Sequence, residues 1–136
     1  GRRMLELLPA DDGLALEPDA PEAPTAPKPV EPKRNTMVVG EVVDFKCYLG
    51  AMKPGSGVTH RGCAALCVQG GIPPALVVPS ADGGETVYLL ATEDGARANT
   101  LALPFVGGAA KVRGLVYEGP GGYEVIRIAP GGLTAP

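Results

Sequence analysis

From residue 37 onward the chain is built of short apolar runs separated by glycine and proline. Residues 37 to 47, MVVGEVVDFKC, alternate well enough to predict a strand, with Val39, Val43 and Phe45 on one face and Gly40 as a bulge or bend. Residues 48 to 59 contain Lys53-Pro54-Gly55 and Gly57 and read as a loop. Residues 60 to 68 have helical composition (Ala64, Ala65, Leu66). They run into Gly70-Gly71, which suits a C-terminal cap, and then into Pro73-Pro74, which stops the helix. Strands are expected at 75 to 78 and 86 to 91, across a turn on Asp82-Gly83-Gly84. Residues 94 to 107 leave room for a short helical turn. A closing hairpin pairs 110 to 118 with 123 to 128 across Gly119-Pro120-Gly121-Gly122.

Two of these strands carry the same phrase, Val38-Val39-Gly40-Glu41-Val42 and Val112-Arg113-Gly114-Leu115-Val116. A glycine inside a strand weakens it unless the strand must coil sharply, as closing a small barrel requires. The expectation is a mainly β domain over residues 37 to 130, a five-stranded OB-like or SH3-like barrel with one short helix, followed by a tail at 131 to 136. An open sheet packed on one helix is the competing arrangement.

Residues 1 to 36 have a different texture. Seven of the 15 prolines lie there, whereas 18 of the 20 glycines lie after it. Pro18, Pro21, Pro24, Pro27, Pro29 and Pro32 fix φ and bias their neighbours towards extended geometry, so 17 to 34 reads as a semi-rigid spacer reaching roughly 55 Å at about 3.1 Å per residue. The arm is a solvated linker or a segment laid along a partner. Ahead of it, Met4, Leu5, Leu7 and Leu8 make one short apolar face behind Arg2 and Arg3. That reads as the remnant of an export signal, though too short for a complete apolar core, or equally as the juxtamembrane end of an anchor upstream of Gly1.

Charge narrows the partners. The net charge is −3 with both signs interspersed, and the predicted strands offer only scattered basic residues such as Lys111, Arg113 and Arg127, with Tyr88, Tyr117 and Tyr123. This is no footprint for nucleic acid. No apolar run approaches the roughly 18 residues needed to span a bilayer. No hydrolase elbow surrounds Ser56 or Ser80, the glycine-rich turns precede no helix that would cradle phosphate, and Glu41, Asp44, Glu93 and Asp94 read as solvated strand and turn residues. No catalytic residue and no small-molecule substrate are assigned, and no enzyme is expected.

The chemistry on offer lies in residues 47 to 74, which hold all three cysteines, Cys47, Cys63 and Cys67, and the only histidine, His60. On a helix, positions 60, 63 and 67 fall within about 60° of one another, so they share a face. Cys47, ending the first strand, is brought over that face by the glycine-rich loop. Three readings compete. The first is a structural disulfide, with Cys47 joined to Cys63 or Cys67 more naturally than the two helical cysteines to each other. The second is a zinc or copper site formed by His60, Cys63, Cys67 and Cys47; the Met37 and Met52 thioethers could join a copper site, but filling core gaps is their usual job. The third is thiol redox chemistry, the weakest because no Cys-x2-Cys stands at a helix N-terminus.

Gly40-Glu41-Val42-Val43-Asp44, Cys47-Tyr48-Leu49, Gly55, His60, Cys63-Ala64, Cys67 and Gly71-Ile72-Pro73 together resemble a family of small bacterial proteins, usually exported, to which no activity is attached. The likeness covers about residues 37 to 130 and leaves out the arm. It implies an extracytoplasmic, OB-like domain with His60 and the cysteines as site candidates, and export favours the disulfide. The functional expectation is a non-catalytic accessory subunit at the periplasmic face of a larger membrane complex, an electron-transfer assembly first, membrane-associated through its N-terminal region. The alternatives are a copper or zinc module and a thiol oxidoreductase.

Overall fold

The computed structural model describes residues 31–136. The expectations for residues 1 to 30, including Pro18, Pro21, Pro24, Pro27 and Pro29, fall outside these residues. Pro32 lies exposed just ahead of the first strand.

Five strands make one mainly β domain: β1 (Arg34–Asp44), β2 (Pro74–Pro79), β3 (Glu85–Ala91), β4 (Ala109–Glu118) and β5 (Glu124–Thr134). Their neighbour order is β1-β2-β3-β5-β4, and β4 pairs back onto β1, so the sheet is ring-like. All pairings are antiparallel except β3 with β5, which run parallel from Tyr88 opposite Glu124 to Ala91 opposite Arg127. A short helix, α1 (Arg61–Gln69), lies between β1 and β2, and a single turn, α2 (Asn99–Ala102), lies between β3 and β4. Among the described residues no helix is long and apolar enough to cross a membrane.

β1 shows how the ring is made. From Arg34 to Glu41 it pairs with β4, and from Glu41 to Asp44 with β2. The changeover falls beside Gly40, where a Cβ would lie 2.3 Å from the Val77 carbonyl oxygen. The same phrase in β4 places Gly114 where a Cβ would lie 2.1 Å from the Arg127 carbonyl oxygen, next to a register shift against β5. Both glycines therefore mark points where neighbouring backbones close in, as the bends read from sequence require.

The face of β1 that carries Val39, Val43 and Phe45, grouped as expected, is the outer one. Val38 and Val42 pack into the main core with Leu76, Leu90, Val112, Val116, Ile126 and Ile128, joined by Ala64 and Val68 of α1. Gly40 and Asp44, on the same side of the strand, are buried as well. Val39, Val43 and Phe45 share the opposite, outer side: Val39 is exposed, and Val43 joins Ala75 and Val77 in a second cluster covered by Phe45, Tyr48, Val87 and Leu89. Valines occupy both parities of β1, so alternation alone does not say which one faces inward.

Two strand ends also move. β1 stops at Asp44, because the Asp44 carboxylate Oδ1 accepts the Cys47 N–H at 2.8 Å and turns the chain into helical geometry, as a capping side chain does. β5 does not end at Ile128. Pro130-Gly131-Gly132 forms an irregularity after which Leu133 pairs with Val112 and Thr134 with Lys111, so residues 131–134 belong to the sheet and not to a tail.

At the start of β1 the ring carries an ion-pair knot. The Arg34 guanidinium donates from Nη1 to Glu124 Oε1 at 2.8 Å and from Nη2 to Glu124 Oε2 at 2.6 Å, and Nη2 also reaches the Tyr88 hydroxyl at 3.3 Å. Lys33 Nζ adds a contact to Glu124 at 3.1 Å. These contacts, the Arg34 hydrogen bonds first, hold the Glu124 carboxyl down to about 2. A depressed carboxyl stabilises the folded state above its unfolded value near 4.5 and loses that contribution as the pH falls towards 2. Glu124→Gln should therefore lower stability by about 1 kcal/mol at pH 7. In urea titrations, the difference from wild type should shrink steadily below pH 4.5; a pH-independent difference would mean that packing, not charge, is lost.

Candidate metal centre

The site is built where β1 ends. Asp44 completes the inward parity of the strand and is 0% exposed. The chain then turns through Cys47–Ala51, whose first residue, Cys47, is 2% exposed. The following loop folds back onto it. Gly55 sits where a Cβ would lie 2.4 Å from the Cys47 carbonyl oxygen, so only glycine lets the loop approach this closely. Gly57 has φ +82 and donates its N–H to the Glu41 carboxylate, which aims the chain into the Val58–His60 turn and α1.

His60 closes that turn and is 4% exposed. Its Nε2 lies 3.0 Å from Asp44 Oδ2. Cys63 and Cys67 follow at one-turn spacing on α1 and are half-buried. The C-terminal end of α1 is held by the Asn99 side-chain amide, which donates to the Val68 and Ile72 carbonyls at 2.8 Å each. The face sharing read from sequence is thus realised. One ligand atom each from Cys47, His60 and Cys63 lies within 4.8 Å of the others, and so do atoms of Asp44, Cys47 and Cys67. Cys47 belongs to both groups.

Three corrections follow. First, the cysteines are free thiols, so the expected disulfide is not formed. Cys47 and Cys67 come closest, with Sγ atoms 4.0 Å apart, about twice the length of an S–S bond. That separation is close to the roughly 3.8 Å between two thiolates on one tetrahedral metal with bonds of about 2.3 Å. Second, Asp44 is not a solvated strand residue but the buried acceptor of both His60 and the Cys47 N–H. Asp94, by contrast, is the exposed turn residue that was expected, accepting from Thr92 and from the Ala96 N–H. Third, Met37 lies 69% exposed, paired with Arg113 across β1 and β4, where it lines a hollow of about 440 Å³ with Leu115 and Arg127 that contains none of the Cys/His residues. Met52 does join the cluster, its Sδ 3.6 Å from Cys63 Sγ.

Burial and a neighbouring carboxylate disfavour the thiolate at two of the cysteines. Burial first, then the hydrogen bond and charge of Asp44, push the Cys47 thiol up to about 12. Burial, followed by the charge of Asp44, also raises Cys67. A thiol at about 12 carries roughly one part in 10⁵ of thiolate at pH 7, the reverse of what a nucleophilic cysteine needs. A bound cation would draw those protons off.

Compared with known proteins, the chain matches no family model, no curated protein and no solved structure.

Proposed function

We propose that this chain is a non-catalytic metal-binding module: a five-stranded OB-type barrel that holds one thiolate- and imidazole-ligated ion where β1 meets α1. Three ligands, Cys47, His60 and Cys63, are drawn from three successive local structures, with Cys67 beside Cys47 as the fourth. The ring-like strand order with a parallel β3–β5 pair supports the barrel assignment. The observation that carries the function is the Asp44–His60 pair. A buried carboxylate that takes Nε2–H from a histidine leaves Nδ1 with its lone pair, and this carboxylate–histidine relay is how proteins fix the tautomer and raise the basicity of a ligating imidazole. The other oxygen of the same carboxylate fixes the Cys47 backbone. The arm adds a place to this chemistry: we propose that it holds the module at the extracytoplasmic face of a larger membrane assembly.

The test is a titration of the reduced full chain with Zn(II) and with Cu(I) under argon, followed by elemental analysis of the desalted protein. One equivalent retained by the wild type is expected, and a loss of at least roughly tenfold in affinity in His60→Ala. Because Cys47 and Cys67 are held protonated, binding should release protons and weaken as the pH falls. A folded, fully reduced chain that retains neither ion would sink the proposal. Intact mass measured before reduction serves as the control, since a value short by two hydrogens would show a thiol pair already oxidised and withheld from metal.

A further inference from the structure

We infer that the ion this cluster takes is copper(I), with Met52 as its ligand at the solvent rim. The inference rests on the metal-site reading above and adds which ion and which entrance. Its first support is what each candidate donor is already doing. Both oxygens of Asp44 are engaged, Oδ1 with the Cys47 N–H and Oδ2 with His60, so the one hard donor in the pocket acts behind the ligands. The donors left to the site are the sulfurs of Cys47, Cys63 and Cys67, the His60 imidazole, and the Met52 thioether. Zinc is bound by thiolate, imidazole and carboxylate. Thioether sulfur adds nothing to that set, but together with thiolate it selects monovalent copper.

The second support is where Met52 stands. Its side chain is 46% exposed, yet its sulfur is turned onto Cys63 at 3.6 Å instead of into either hydrophobic cluster. Its position is set by the loop that Gly55 seats against the backbone of Cys47 and Tyr48. The soft donors are therefore graded in depth, from Met52 at the surface through half-buried Cys63 and Cys67 to Cys47 at 2% exposed. An ion arriving at Met52 and Cys63 can exchange one sulfur ligand at a time without ever being left bare, and it can leave by the same route to an acceptor that presents soft ligands.

The experiment uses the reduced full chain under argon, with Cu(I) titrated against bicinchoninate and Zn(II) against a zinc-binding dye. Wild type should prefer Cu(I), and Met52→Leu should lower Cu(I) affinity about tenfold while leaving Zn(II) affinity and thermal stability unchanged, since a half-exposed methionine contributes little packing. Equal losses for both ions, or no loss of Cu(I) affinity, would overturn the role of Met52. Displacement of Cu(I) by equimolar Zn(II) would overturn the choice of ion while leaving the metal-site reading intact. Retention of neither ion by the folded wild type would remove both.

Discussion

Asp44→Ala is expected to destabilise the domain by about 3 kcal/mol and to weaken metal binding by roughly 10- to 100-fold. The carboxylate has no contact with solvent and serves two donors, the Cys47 N–H at 2.8 Å and His60 Nε2 at 3.0 Å. Alanine leaves both buried and unpaired, in a place too deep in the fold for water to take over. Asp44→Asn separates the two consequences. Its carbonyl oxygen can still accept the Cys47 N–H, so the turn out of β1 survives, but its other group is an amide that donates to His60 Nε2. The histidine proton is then forced onto Nδ1, and the nitrogen needed by the ion loses its lone pair. The asparagine variant should therefore unfold in denaturant within about 1 kcal/mol of wild type while still binding metal at least roughly tenfold more weakly. Wild-type affinity in a folded Asp44→Asn protein would show that the carboxylate only braces the turn.

That carboxylate is also where reading the sequence falls short. His60, Cys63 and Cys67 are legible because helical spacing is a local property, and a run ending in Gly-Gly and Pro-Pro leaves little doubt where α1 stops. Cys47 is legible as the last residue of the first apolar run, although the strand itself ends at Asp44. Asp44 is not, because its role depends on which parity of β1 faces inward, and Val38 and Val42 compete on equal terms with Val39 and Val43 for that answer. The decision is made by pairing with β2 and β4, partners that begin 30 and 65 residues beyond Asp44. The parallel contact between β3 and β5 is hidden for the same reason: no turn residue announces a pairing between strands separated by a third. The run Pro130-Gly131-Gly132 misleads in the opposite direction, since residues that usually terminate a strand here form an irregularity within one. Local chemistry gives the elements and most of the ligands, whereas the closure of the ring decides what lies inside.

Closure itself makes a second large prediction. Gly40→Ala and Gly114→Ala should each cost about 3 kcal/mol or more, because the added methyl would stand 2.3 Å from the Val77 oxygen or 2.1 Å from the Arg127 oxygen. Both obstacles are backbone in a neighbouring strand, so no rotamer change relieves them; two strands must part. Gly62→Ala is the matched control. It lies in α1, where an added methyl would meet nothing within 4 Å, and it should be neutral or stabilise by up to about 1 kcal/mol through helix propensity alone. The two strand variants are expected to differ in their effect on the site. Gly114 is on β4 and opposes Thr36 and Ile128, away from the cysteines, so a folded Gly114→Ala protein should retain its metal affinity. Gly40 lies four residues before Asp44, at the point where β1 transfers from β4 to β2. Displacing it moves the carboxylate relative to His60 and the Cys47 turn, so Gly40→Ala should lose metal affinity beyond what its stability loss explains when titrated under conditions where it remains folded. Equal metal binding by both strand variants would mean that the bend of β1 closes the sheet without positioning the site.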